Sequence, residues 1–138
     1  MNYNYLNNSH NKIFKRNKLI YKFFKSKNKY VAERDFYIKT RNKFSFIPKF
    51  YGYCDNRFLI IIENAGETIK RKEFLENKET IRILADIIIK ESNYYHNDLW
   101  YRNVVKKNGY YYIIDWESSS EIIPKNIHKN NKEIFISY

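Results

Sequence analysis

The chain has 138 residues, 43% hydrophobic and 19% aromatic, which suits one domain or two small lobes around a shared core and excludes disorder over most of its length. The net charge is +11, and the single cysteine, Cys54, excludes an internal disulfide. No apolar run approaches the roughly 18 residues that cross a bilayer, and the polar start has no signal-peptide core. We therefore expect a soluble cytoplasmic protein with no membrane partner.

The first half of the chain predicts an antiparallel sheet that carries one helix. The expected strands are rich in β-branched and aromatic residues and are separated by short polar turns; they are 3–6, 12–15, 18–24, 49–54 and 57–63. A polar connector, 26–29, leads to a helix predicted at 30–41.

The second half predicts a helix, a polar loop and a hairpin. Apolar residues recur with helical spacing over 78–92, which is typical of an amphipathic helix. The polar and aromatic loop 94–103 follows, and 104–114 then predicts a β-hairpin with its turn at 106–109. Together the two halves predict an α+β fold.

The basic charge has two explanations. Lysine and arginine neutralise phosphate groups, which points to nucleic acid. However, Asn, Lys, Ile and Tyr are abundant while Gly numbers 3 and Pro 2, and this is the composition that an A/T-rich genome produces, as in some giant viruses and microbes. Charge alone therefore identifies no partner. The same bias indicates that Asn stands at positions where other proteins carry Gly, because Asn tolerates left-handed backbone.

The residues that indicate chemistry are His96-Asn97-Asp98, then Arg102-Asn103, then Ile113-Ile114-Asp115-Trp116-Glu117. In this order and spacing they resemble the protein-kinase superfamily, whose catalytic loop reads H-x-D-x-x-x-x-N and whose metal-binding strand end reads hydrophobic, hydrophobic, Asp, aromatic. The D-W-E form is similar to aminoglycoside and choline kinases and other small atypical kinases.

The resemblance implies an ATP- and Mg²⁺-dependent phosphotransferase with His96, Asp98 and Arg102 as catalytic residues and Asn103 and Asp115 as metal ligands. The residue chemistry agrees with these roles. A carboxylate at Asp98 can accept the proton of an attacking hydroxyl, and the oxygens of Asn103 and Asp115 suit hard Mg²⁺. Arg102 would steer the hydroxyl or the phosphate.

The first half adds a nucleotide site to the resemblance. Leu19-Ile20-Tyr21-Lys22 resembles the strand motif V-A-I-K, whose lysine holds the α- and β-phosphates, and Glu33 would be its ion-pair partner. The strand ending at Glu63 resembles a kinase hinge. There the carbonyl of Glu63 and the amide of Ala65 would bind adenine, with Ile61 and Ile62 near the purine.

Two family features are missing. Residues 7–11 stand where a glycine-rich loop is expected and contain no glycine, and the sequence after Glu117 contains no A-P-E segment. A peptide-docking groove is therefore not implied. Either the acceptor is a small molecule, or a protein acceptor docks through another surface, or a protein partner completes the second lobe.

We expect one kinase-like domain: a first lobe at 1–62, a hinge at 63–69 and a reduced second lobe at 70–138. Two other functions stay open. One is a kinase-like fold that binds a nucleotide or a partner without turnover, and the other is a basic nucleic-acid-binding module that uses exposed aromatic rings for stacking.

Overall fold

The computed structural model describes residues 4–7 and 11–121. Its first half contains five antiparallel strands, each within two residues of its predicted bounds: β1 (Asn4–Asn7), β2 (Asn11–Arg16), β3 (Leu19–Phe24), β4 (Phe50–Cys54) and β5 (Leu59–Glu63). They form one sheet in the order β1-β2-β3-β5-β4. The turn predicted at Asp55-Asn56 is a single turn of 3₁₀ helix, Asp55–Arg57.

Helix α1 (Lys27–Thr40) follows β3 and begins three residues before the predicted start at Tyr30. The reason is Ser26, whose side-chain oxygen accepts a hydrogen bond from the backbone N–H of Lys29 at 3.3 Å. A serine in this position satisfies one of the free amides of the first turn, so the polar connector is in fact the helix cap. One face of α1 is buried and holds Tyr30, Glu33, Phe36, Tyr37 and Thr40.

The second half contains a small sheet and two helices. Its elements are β6 (Glu67–Thr68), α2 (Arg71–Glu76), α3 (Lys78–Ser92), β7 (Val104–Lys107) and β8 (Tyr110–Ile113). The three strands pair antiparallel in the order β6-β7-β8, and α3 has the predicted bounds. The prediction missed β6 and α2, which are too short to show a periodic pattern. Within the described residues, no helix is long and apolar enough to cross a membrane.

Gly66 sets the distance between the end of the first sheet and the second sheet. Its φ is +111°, and a Cβ built on it would lie 2.1 Å from the carbonyl oxygen of Lys106 in β7. Only glycine permits so close an approach of two backbones. As a result the segment after β5 continues directly into β6.

The core that joins the two halves is largely aromatic. The ring of Phe36 in α1 stacks on Trp116 with centroids 3.8 Å apart, and Tyr94 meets Phe36 edge-on at 5.2 Å. Left-handed backbone occurs, among the described residues, at Asn17, Asn42, Asn93, Asn97 and Asn108, as well as at Phe58 and Asp115. That asparagine replaces glycine at such positions stays a prediction.

Candidate active site

Lys22 joins residues from three separate parts of the chain. It lies on β3 with 5% of its surface exposed. Its Nζ is 3.0 Å from Oε1 of Glu33 on α1 and 3.1 Å from Oδ1 of Asp115, which follows β8. Three residues that sequence reasoning assigned to one site are therefore in direct contact.

Local structure explains why these side chains converge. Lys22 points to the same face of the sheet as its cross-strand neighbours Ile13 and Ile60. Glu33 is part of the buried face of α1, which packs on that sheet. Asp115 has a φ of 64°. Aspartate adopts this left-handed conformation more readily than most residues.

The cluster holds more negative than positive charge. Burial by itself lowers the pKa of Lys22, but the carboxylates of Asp115 and Glu33 outweigh burial and hold the pKa above its ordinary value. Burial raises the pKa of Glu33 to about 7, against the lowering effect of Lys22. Burial also disfavours ionised Asp115, yet Lys22 keeps the pKa of that carboxyl below its ordinary value. Lys22 is therefore a cation at neutral pH and Asp115 an anion.

Asp98 and Asn103 are held together in the loop after α3. The side-chain amide of Asn103 donates to the backbone carbonyl of Asp98 at 2.8 Å and lies 3.4 Å from its Oδ2. The backbone carbonyl of Asn103 accepts from the N–H of Ile114 at 2.9 Å. This last bond fixes the loop against the strand that leads to Asp115.

His96 links the same two segments. Its Nε2 lies 2.8 Å from the carbonyl oxygen of Ile114, and its Nδ1 accepts from the backbone N–H of Asp98 at 3.1 Å. Burial lowers the pKa of the imidazole, which agrees with a neutral ring that donates from Nε2. Both ring nitrogens are engaged, so the geometry suits His96 to positioning Asp98 rather than to proton transfer.

A cavity of about 380 Å³ opens beside Lys22 between the two sheets. Of the predicted site residues it is lined by Lys22, Glu33, Glu63, Ala65, Arg102, Asn103 and Asp115. Ile61 does not line it, whereas Ile62 does, because neighbouring residues of β5 point to opposite faces of the sheet. Asp98 and His96 also lie outside the lining.

Apolar side chains that the prediction missed form much of the cavity wall. They come from both sheets and are Ile13, Ile20, Val105 and Ile114. Strand alternation could have identified Ile20 from the sequence, because Ile20 is two residues before Lys22 and therefore lies on the same face of the sheet.

At the hinge, no described acceptor contacts the amide of Ala65. Both carboxylate oxygens of Glu63 accept hydrogen bonds, one from the N–H of Lys49 and the other from Lys107.

Sequence reasoning also missed a contact at the start of β2. The side-chain amide of Asn11 donates to Oε2 of Glu117 at 3.2 Å. Asn11 is the buried first residue of β2, and residues 8–10, in the segment that stands where a glycine-rich loop was expected, lie outside the described residues. A hydrogen bond from one side chain thus ties the start of β2 to the segment that carries Asp115.

Comparison with solved structures identifies the fold. No protein-family model and no curated protein sequence matches the chain. The structure of WbdD in complex with the kinase inhibitor LY294002 is similar over 88% of this chain, with a TM-score of 0.64 and 15% identity. A choline/ethanolamine kinase family protein from Mesorhizobium loti is similar over 87%, with a TM-score of 0.57 and 12% identity. The chain has a protein-kinase-like fold, and it spans 33% and 59% of the length of these two proteins.

Proposed function

We propose that the protein is an ATP- and Mg²⁺-dependent phosphotransferase that transfers the γ-phosphoryl group to a hydroxyl of a protein or a small molecule. One observation carries the proposal: Lys22 is held between Glu33 and Asp115 at the wall of an apolar cavity, 3.0 and 3.1 Å from their carboxylates. Phosphoryl transfer depends mainly on positioning and on neutralisation of charge; the cluster would position Lys22, and Mg²⁺ would supply the further positive charge.

The nucleotide would enter the cavity with its base between the two sheets. Ile20 and Ile62 offer an apolar wall on one side, and Val105 and Ile114 offer one on the other. The Ala65 amide is left to donate to the base, and the carbonyl of Glu63 is the proposed acceptor. Lys22 would hold the α- and β-phosphates, with Glu33 restraining its side chain.

The donor set fits Mg²⁺. The amide nitrogen of Asn103 is used by Asp98, so its Oδ1 is left as a neutral oxygen ligand. Asp115 contacts Lys22 through Oδ1, and its carboxylate is the proposed anionic ligand. Oxygen ligands of this kind suit Mg²⁺, which when bound neutralises charge on the β- and γ-phosphates.

Asp98 would orient the acceptor and take its proton. The acceptor oxygen attacks the γ-phosphorus as the bond to the β–γ bridging oxygen breaks; ADP leaves, and the hydroxyl proton passes to the Asp98 carboxylate. His96 and Asn103 fix the backbone of Asp98 at its amide and carbonyl, respectively. Arg102, which lines the cavity, would steer the acceptor toward the γ-phosphate.

The division into a first lobe (1–62), a hinge (63–69) and a second lobe (70–138) stays part of the proposal. The pairing of β6 with β7 supports a hinge that is anchored on the second sheet. A protein partner that completes the second lobe also stays part of the proposal.

The test separates binding from turnover. ATP with Mg²⁺ should raise the melting temperature of the full chain more than ATP alone, and Asp115→Asn should abolish the difference. Asp98→Asn should keep the shift and lose ATP hydrolysis or autophosphorylation, whereas Asp35→Asn, a change of the same kind on α1, should keep both. Absence of any shift with ATP and Mg²⁺ would contradict the proposal.

A protein that binds nucleotide without turnover is the second candidate, and the missing glycines of the 7–11 loop favour it. In that case the melting shift with ATP and Mg²⁺ would stay and would depend on Asp115, but neither wild type nor Asp98→Asn would release phosphate from ATP.

A further inference from the structure

Two arginines and two aromatic rings form a continuous row beside the proposed catalytic loop. The guanidinium carbon of Arg71 lies 5.8 Å from the centre of the Trp100 ring. The Trp100 and Tyr101 rings are 5.5 Å apart, and Arg102 lies 5.5 Å from the Tyr101 ring. We name these four residues the arginine–aromatic row.

A buried ring in α2 holds the arginine–aromatic row in place. The ring of Phe74, fully buried in α2, packs against Trp100 at 5.6 Å. This contact joins α2, which carries Arg71, to the loop that begins at Asp98. At the other end, Nε of Arg102 donates to the phenol oxygen of Tyr101 at 3.3 Å. Both guanidinium groups are therefore restrained by rings, which limits the entropy lost when they bind a ligand.

The charges of the row are not neutralised by the surrounding protein. Among the residues that the structure describes, no carboxylate lies within 4.0 Å of the side-chain nitrogens of Arg71 or Arg102. Two lysines of the neighbouring strand β7 do have partners: Lys106 lies 2.9 Å from Glu73, and Lys107 lies 3.2 Å from Glu63. Both arginines are exposed.

We infer that the arginine–aromatic row binds the phosphate group of the acceptor, so that the substrate is a hydroxyl compound that already carries a phosphate. Guanidinium groups bind phosphate with paired N–H donors, and a ring beneath them leaves those edges open. Trp100 follows Asp98 by two residues and Arg102 lines the cavity, so a phosphate bound by the row would lie beside the proposed nucleotide site. A cationic acceptor would be repelled. The inference rests on the proposed phosphotransferase function and adds its substrate class.

The test measures acceptor binding directly. Ribose 5-phosphate, ribose and a single-stranded hexaribonucleotide are titrated by calorimetry into the full chain with ADP and Mg²⁺. Ribose 5-phosphate should bind and ribose should not, and Arg71→Ala should weaken that binding about tenfold, the effect of losing one charge-assisted hydrogen bond of roughly 1.4 kcal/mol. Binding of the hexaribonucleotide alone, equally weakened by Arg71→Ala, would identify a phosphodiester polymer as the phosphate source.

Arg41→Ala is the matched control. Arg41 is also exposed and also lies over an aromatic ring, 5.8 Å from Phe50, but it belongs to the loop after α1. Its loss removes the same charge and should leave binding within twofold. Equal weakening by both variants, or equal binding of ribose and ribose 5-phosphate, overturns the inference.

The phosphotransferase proposal and the inference of a phosphorylated acceptor can be contradicted by different results. Arg71→Ala should keep the full melting shift with ATP and Mg²⁺, because Arg71 does not line the nucleotide cavity. A chain that shows this shift but binds neither phosphate compound would overturn the inference and leave the phosphotransferase standing. A chain without the shift would contradict the phosphotransferase itself.

Discussion

Lys22 and Asp115 are 93 positions apart in the sequence, and their side chains are 3.1 Å apart in the fold. The contact connects the first sheet to the segment after the last hairpin. Glu33 completes it from α1, so one buried cation serves two carboxylates. The effect of one buried cation between two carboxylates on the stability of the protein can be measured.

Replacing Lys22 with methionine should destabilise the protein by about 3 kcal/mol, because it leaves the buried Glu33 without its cation. Urea unfolding followed by circular dichroism would measure the change. Lys72→Met is the control: Lys72 is 88% exposed, 3.9 Å from Glu76, and its loss should cost less than about 1 kcal/mol. Equal costs for the two variants would show that the Lys22 cluster does not stabilise the fold.

The stability of wild type relative to Glu33→Gln should fall as the pH rises from about 4.5 to 7. The pKa of Glu33 is about 7 in the folded chain and 4.5 in the reference state, so within this window the folded chain holds a proton that the unfolded chain has released. The stability that Glu33 contributes is therefore present in full below its pKa in the unfolded chain, and it is lost as the pH rises through its pKa in the folded chain.

Unfolding curves at several pH values would test this dependence. His96 has a lowered pKa and so an opposite effect, losing stability as the pH falls. It is present in both proteins and cancels in the difference between them. A difference that stays flat from pH 4.5 to 7 would show that the pKa of Glu33 is not raised.

Gly66→Ala should cost more than about 1 kcal/mol, since its φ of +111° is unfavourable for alanine and the new Cβ would meet the carbonyl oxygen of Lys106. Gly52→Ala provides the comparison, because nothing lies within 4 Å of a Cβ at that position. Denaturant midpoints of the two variants should differ clearly. A Gly66→Ala protein as stable as Gly52→Ala would mean that the close approach of Gly66 to β7 is not required.

Ile62→Val should weaken ATP binding by up to about fourfold, the effect of removing one methylene group worth ~0.8 kcal/mol from an apolar contact. Ile61→Val, the same change one residue earlier, should have no effect on affinity, because Ile61 faces away from the cavity. Calorimetric titration with ATP and Mg²⁺ compares them. Stronger weakening by Ile61→Val would place the base on the other face of β5.

The strands of the first sheet, the hairpin of β7 and β8, the helix at 78–92 and the ordered motif from His96 to Asp115 were predicted from the sequence, since periodicity and spacing are local properties of the chain. The helix that carries Glu33 was also predicted, except for its first turn, where the Ser26 cap overrides the absence of an apolar pattern. Short elements such as β6 and α2 were missed because their few residues acquire structure only through packing.

Sequence alone determined that a lysine, a glutamate and two aspartates stand in an order known from kinases. Only the tertiary structure decided that Lys22, Glu33 and Asp115 touch, that Ile62 rather than Ile61 lines the cavity, and that Arg71 joins Arg102 through two rings. The reason is physical. Spacing along a strand or helix fixes which residues share a face, whereas contacts between distant segments depend on how those faces pack, and local sequence does not contain that information.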